Sequence, residues 1–354
     1  MEHENFDAER YEANTAGFDA IAEKLHRLYP GQEGKYYGVL IPYMLGGSDP
    51  LDGVEIWQSE QGIPHWHYVT YGFSELYEKE SSYLEESGYG FELTFRLKRE
   101  IGETEPPVWP VNLLQNLAHY VFSSGNVFAD GHHMNCNGPV ALESDTKLTA
   151  LGFRVDSELG EMDTPNGHVT FLQAVAITHD EMNGLMCWSG SRFLELMAQY
   201  VPLCITDLSR TSLMHVADFR AVWQQGVAQD GSSTAFLYLD ELAGGMAADR
   251  AWLQLGAGHV ETVLNMLHAR VGKGRELYLQ GAQQVVHIQA AQIAAVQKHE
   301  EMLILALTAE TLAELDAVLA PHAGTYPLKT APLEIHLLPT KITDARGHVL
   351  QVIE

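Results

Sequence analysis

Phe91 to Lys98 reads FELTFRLK, with Phe91, Leu93, Phe95 and Leu97 alternating with Glu92, Thr94, Arg96 and Lys98. A period of two belongs to a β-strand, whose successive side chains point to opposite faces. The pattern predicts a half-buried strand with its apolar side inward. Upstream, the short runs YYGVLIPYML, VEIW and HWHYVTYG are separated by Gly, Pro, Ser and Asp and read as further strands. Before them, Tyr11, Phe18, Ile21, Leu25 and Leu28 recur at three- and four-residue steps, which predicts an opening helix ending at Pro30 and Gly31.

Downstream of PPVWP the spacing of Leu113, Leu114, Leu117, Tyr120 and Val121 is helical, with Pro110 suited to a first turn and an end near Ser123. His168 to Ile177 reads as a strand, and Thr178 with Glu181 has the form of a capping box opening a short helix. Val201 to Thr206 reads as a buried strand. Around Gln224 to Ser233 the periodicity lapses into QQGVAQDGSS, the look of a boundary. The chain is thus expected to be α+β, with a first domain over 1–222, a linker over 223–233 and a second domain over 234–354. Each domain is expected to hold a mixed or antiparallel sheet with flanking helices. In the second domain STAFLYL, RELYL, VVHIQ, MLILAL, LEIHLL and HVLQVI read as strands, and Val260 to His268 and the stretch with Leu312, Leu315 and Leu319 as helices.

Charge is unevenly shared. Residues 1–230 hold 13 basic and 34 acidic side chains, a net −21, out of −26 for all 354 residues. Such a surface repels phosphate backbones, because nucleic-acid binding needs Lys and Arg to displace condensed counterions. A basic protein partner suits it better, although acidity also serves solubility alone. Cys136, Cys187 and Cys204 lack disulfide or zinc spacing and read as reduced thiols. Met1 to Arg10 carries acids where a signal peptide needs a basic start, and no run approaches 18 apolar residues, so the expected address is the cytoplasm, away from any membrane.

No nucleophile elbow, phosphate-binding loop, dinucleotide glycine pattern or HExxH helix is present. Leu45 to Gly47 leads into DPLDG and reads as a tight turn rather than a phosphate cradle. The 17 histidines raise a metal alternative using His65 and His67, two apart on one strand face, with His132, His133 and Cys136. Three or four of these would have to converge, and packed or surface histidines explain them more simply. No metal or cofactor is expected. Acidic residues are too abundant for any pair to signal glycoside chemistry, and Glu85 and Glu86 read as a solvated loop. Among Trp57, Trp66, Tyr68, Tyr71, Phe73, Tyr77, Trp109, Tyr120, Phe122, Phe128 and Trp188, most are expected in the core. A few are left for a groove between the domains.

Six blocks together resemble the Suppressor of fused family. They are LGGSDPLDGVEIW from Leu45, HWHYVTYGFSELY from His65, GYGFELTFRLKRE from Gly88, PPVWPVNLLQNLAHYVF from Pro106, TPNGHVTFLQAVAIT from Thr164 and CITDLSR from Cys204. A weaker likeness continues in LILALTAETLAELDAVL from Leu303 and YPLKTAPLEIHLLP from Tyr326. The resemblance implies two α+β domains that close around an extended peptide, binding rather than turnover, and no cofactor. Lacking the long insertion of the animal proteins, the chain resembles a compact bacterial member. For such relatives the family context implies immunity proteins that neutralise toxins encoded beside them.

The resemblance also implies a partner-binding set, Tyr120, Phe128, Asp130 and His132. Tyr120 falls where the animal family has a tyrosine near its peptide. In the loop after Phe128, which holds Asp130, His132 follows Gly131 where that family has an aspartate. An acceptor carboxylate is thereby replaced by a group that also donates. The expected function is a non-enzymatic module that sequesters or neutralises a protein, such as a basic toxin or regulator. A metal-dependent enzyme using the histidines and a self-associating structural protein are the alternatives.

Overall fold

The computed structural model describes residues 14–41, 43, 46–142, 144–343 and 349–354. Tyr11 and Leu45 lie outside the described residues. In chain order, α1 (Ala16–Leu28) precedes β1 (Lys35–Gly38), β2 (Gly53–Ser59), β3 (His65–Tyr71) and β4 (Glu86–Lys98). Next come α2 (Trp109–Ser124), β5 (His133–Asn135), β6 (Leu148–Val155), β7 (Glu161–Thr164) and β8 (Gly167–Thr178). Helices α3 (His179–Met186), α4 (Gly190–Ala198) and α5 (Ala217–Asp230) follow. Then come β9 (Phe236–Tyr238), β10 (Ala243–Ala247), β11 (Arg250–Gly256), α6 (Val260–Ala269), β12 (Leu277–Gln280), β13 (Val285–Ala290), β14 (Ala295–His299) and β15 (Met302–Leu307). The chain closes with α7 (Ala309–Val318), β16 (Gly324–Pro327), β17 (Leu333–Leu338), β18 (Thr340–Thr343) and β19 (Val349–Ile353). The fold is α+β, and its elements group into two compact units that interlace along the chain. The first holds 1–130, 153–175 and 201–208, the second 131–152, 176–200 and 209–354.

In the first unit the sheet runs β1-β2-β3-β4-β8, antiparallel except for the parallel β4–β8 pair. The strand FELTFRLK departs from its expected half-buried state: Glu92, Thr94 and Arg96 are fully buried alongside Phe91, Leu93, Phe95 and Leu97. The register explains this. His67 and Val69 pair with Arg96 and Thr94, so the polar side of β4 shares a face with His67, Val69 and Tyr71. That face carries the cluster of Ile21 and Leu25 from α1 and Tyr29 just after it with Trp57, Leu159 and Phe171. The opposite face packs under α2, where Trp109 sets its ring edge-on to Phe95 at 5.6 Å. A helix on each side removes both faces from water, and each buried Ile or Leu contributes about 1.5–3 kcal/mol.

The strand also starts earlier than expected, at Glu86, through an irregular register between Glu86 and Phe91. Gly88 sits there at φ 58°, and a Cβ on it would stand 2.5 Å from the Phe73 carbonyl oxygen. Val201 to Thr206 is not a strand. Pro202–Cys204 is a single 3-10 turn in which Leu203 and Cys204 adopt φ of 51° and 49°, and only Thr206 bridges to Leu97. Pro202 has no N–H for a ladder, and its fixed φ starts a turn instead.

The second unit contains two further mixed sheets, β10-β11-β17-β16 and β14-β15-β13-β12-β9, and the β18–β19 hairpin. Leu253, Leu255, Val263, Met266, Leu267, Ile288, Leu305 and Leu315 are buried in it. The capping box is formed as expected: Thr178 Oγ1 accepts from Glu181 N–H, and Thr178 N–H donates to Glu181 Oε2 at 2.9 Å. Arg210 then grips both Glu181 oxygens at 2.7 Å.

Most of the stretch expected to be a linker, 223–233, is instead the second half of α5. Gln224, Gln225 and Ala228 are good helix formers. Only Phe219 and Gly226 of α5 are buried, so no apolar stripe announces the helix. Beyond it Ser232 is buried, and its carbonyl accepts from Arg270 and Arg275 at 2.9 Å each. Among the described residues no helix is long and apolar enough to cross a membrane.

Candidate functional site

Helix α2 begins with Pro110 in its first turn and ends at Gly125, whose φ of 73° favours glycine. Pro110, Leu114, Leu117, Ala118 and Val121 form its buried stripe, which leaves Tyr120 off the stripe and 39% exposed. The Tyr120 ring stacks on Phe128, centroids 5.8 Å apart and planes 27° apart. Phe128 in turn lies flat on Phe153 at 4.0 Å and 15°, and Phe91 meets it edge-on at 6.4 Å. Phe128 is only 6% exposed, so its place is beneath Tyr120 rather than on the surface. Asn126 Nδ2 donates to the Tyr120 hydroxyl at 3.2 Å, which fixes the phenol and leaves its proton for another acceptor. A rigid aromatic with a polar tip on a packed support has the make-up of a binding anchor, because little side-chain entropy remains to be lost.

Asp130 extends this face. It is exposed, and its Oδ1 accepts from Val155 N–H at 3.2 Å, so the Phe128–Phe153 and Asp130–Val155 pairs lie side by side two residues apart on both segments. The first unit therefore brings together Tyr120, Phe128 and Asp130. His132 belongs to the second unit and is exposed. Its turn is set by Gly131 at φ 80°, where a Cβ would meet Ser191 N at 2.8 Å, while a Cβ on Gly190 would meet the Gly131 carbonyl oxygen at 2.0 Å. Of the eleven aromatics singled out in the sequence, Trp57, Trp66, Tyr68, Tyr71, Phe73, Phe128 and Trp188 are buried, and Tyr77 and Tyr120 are exposed.

The candidate metal ligands divide between the two units. His65 and His67 are fully buried in the first unit, and burial lowers each to a pKa of about 4. His132, His133 and Cys136 are in the second unit. Burial, with His132 beside it, lowers His133 to about 4, and burial pushes the Cys136 thiol up to about 11. Among the described residues no group of three or more His, Cys, Asp or Glu is placed to hold a metal ion.

His67 instead joins a buried network not anticipated from the sequence. Tyr29 Oη lies 2.7 Å from His67 Nδ1, and burial raises the Tyr29 pKa far above its ordinary value, so the phenol donates. The imidazole proton then sits on Nε2, 3.4 Å from Asp156 Oδ2. Asp156 accepts from Arg96 Nη1 at 2.5 Å and Nη2 at 3.0 Å, and from the Thr94 hydroxyl at 2.7 Å. Burial opposes ionisation of Asp156, but Arg96 outweighs it and holds the carboxyl well below its ordinary pKa. Arg96 Nη2 also reaches Glu158 at 2.8 Å. The available signal was a charge, Arg96, inside an apolar strand, which burial permits only when partners satisfy it.

Residues 47–211 match the family model described as Suppressor of fused protein. The human Suppressor of fused homolog is 36% identical over 254 residues, 67% of this chain, and the chain spans about half of that relative's length, 50%. A crystal structure of Drosophila Suppressor of Fused is similar with a TM-score of 0.73 at 21% identity, covering 92% of this chain and 97% of that one. The solved Sufu–Fu complex includes a chain similar at TM-score 0.56 and 30% identity, covering 59% of this chain and 97% of its own.

Proposed function

Because this chain belongs to the Suppressor of fused family, we propose that it is a non-enzymatic binding module that sequesters or neutralises a protein partner. The observation that carries the proposal is Tyr120, exposed on α2 and backed by the Phe128–Phe153 stack. A relative in the family has been solved as the Sufu–Fu complex, so binding another protein is within its repertoire.

The partner proposed is basic, a toxin or a regulator, met in the cytoplasm and engaged through an extended peptide. The net −21 of residues 1–230 supports this, since complementary charge speeds encounter and favours the right partner. Asp130, two residues beyond the Phe128 that carries Tyr120, supplies an acceptor for a cationic or amide donor, and His132, exposed on the second unit, is a separate candidate contact. An immunity role is the reading that a compact bacterial member of the family favours.

Affinity capture with the wild type, Tyr120→Ala and His132→Ala, at low and physiological salt, tests the proposal. One saturating basic protein, lost from the variants and weakened by salt, is the expected result. Equal capture by wild type and Tyr120→Ala would rule out this face.

A further inference from the structure

Where α1 and β2 end, the first unit opens a cleft of about 480 Å³. Gln32, Gln58, Ser59, Glu60, Gln61 and Glu158 line it, with Tyr29 among the buried residues at its wall. Leu28 and Tyr29 give the lining an apolar side, the three amides, the serine and the two carboxylates a polar one, and the two carboxylates are only half used. Glu158, whose side chain is 9% exposed, takes Arg96 on Oε2, and among the described residues nothing hydrogen-bonds to its Oε1. Glu60 takes Gln58 and Arg99 on Oε1, and its Oε2 is likewise unengaged among the described residues.

The charges behind the cleft do not balance. Among the described residues Arg96 is the one Lys or Arg paired with Asp156 and Glu158, and His67 is neutral, so one negative charge is left over. Of those two carboxylates it is Glu158 that lines the cleft. Glu60 is matched by Arg99. One monovalent cation would neutralise the remainder, and a nearly buried, uncompensated carboxylate gains most from such a partner. A metal ion does not fit, since no group of ligands is placed for one among the described residues and the space far exceeds a bare ion. Three amide side chains and a serine instead offer directed acceptors to N–H donors.

We infer that this cleft binds an alkylammonium or guanidinium group. The chemistry has two sources, a free polyamine and the Lys or Arg side chain of a basic polypeptide. The inference does not rest on the Tyr120 face, and either can fail without the other.

Calorimetric titration of the full chain tests it with three probes: putrescine, N-acetyl-lysine methylamide, and its uncharged norleucine analogue. Saturable one-to-one binding of at least one amine, and none of the norleucine analogue, is expected. Glu60→Gln and Glu158→Gln should each weaken it about tenfold, while Glu310→Gln on α7 should change it less than twofold. Tighter binding of putrescine assigns a free polyamine, and tighter binding of the capped lysine assigns a polypeptide side chain. Should Glu158→Gln fail to fold by circular dichroism, Glu60→Gln decides alone. No saturable binding of either amine, binding that ignores the glutamate substitutions, or equal binding of the norleucine analogue would overturn the inference.

Discussion

Arg96 and Asp156 meet through two contacts, Nη1 to Oδ2 at 2.5 Å and Nη2 to Oδ1 at 3.0 Å, with neither side chain exposed. A planar fork on a carboxylate is a strong charge-assisted pairing, and in this interior it also fixes how β4 sits against the turn carrying Asp156. Removing one partner leaves the other charge buried and unpaired. Arg96→Met is therefore expected to destabilise the protein by about 3–5 kcal/mol in urea unfolding. A loss below about 1 kcal/mol would mean that water reaches Asp156.

Mild acid should lower the stability of the protein through its buried histidines. His65, His67 and His133 are each lowered from 6.5 to about 4, chiefly by burial. The folded state binds fewer protons than the unfolded state across that interval. Stability is therefore fully present above pH 6.5 and lost as pH falls toward 4. Glu92 works the other way: burial raises it to about 7 despite bonds from Thr70, Gly72 and Ser74, so its contribution grows as pH falls from 7 to 4.5. Three groups against one predict a lower urea midpoint at pH 4.5 than at pH 7.5, and a midpoint that rises on acidification would contradict the assignment.

The α3 cap gives a rank order. Thr178→Ala removes one capping oxygen and should cost about 1 kcal/mol. Arg210→Met strips both guanidinium bonds from the buried Glu181 and should cost several times more, about 3–5 kcal/mol. Denaturant midpoints of the two variants check the order, and a reversed order would show that Arg210 is ornamental to the cap.

Domains over 1–222 and 234–354 remain a proposal. The sheets from β9 onward, with α6 and α7, lie wholly beyond residue 234. Residues 234–354 expressed alone should unfold cooperatively, with dispersed amide resonances. A collapsed, non-cooperative product would mean that the segments 131–152 and 176–200 are needed to complete that unit.

Legibility in the sequence followed the depth of the apolar pattern. FELTFRLK and LEIHLL alternate strongly enough to place β4 and β17, the unbroken apolar run MLILAL placed β15, and Thr178 with Glu181 placed the start of α3. Helix α5 was hidden because its exposed face leaves only Phe219 and Gly226 buried. Strands β10 and β14 were hidden because AGGMA and AVQKH carry little apolar alternation. Of the candidate site, Tyr120 came from a resemblance and not from periodicity, which counted it with the inward face of α2. Of the Arg96 network only that charge inside β4 was visible, because the partners Tyr29, His67, Asp156 and Glu158 are brought to Arg96 only by tertiary pairing.

The central claim is that Tyr120, held on Phe128, anchors a protein partner. Its most direct test is the dissociation constant of the captured, purified partner for the wild type, Tyr120→Phe and Tyr120→Ala, measured by titration calorimetry at physiological salt. Loss of a central aromatic anchor costs about 2 kcal/mol or more, so Tyr120→Ala is expected to bind roughly 30-fold more weakly or worse, with Tyr120→Phe in between. Identical constants for all three proteins, each folded, would contradict the claim.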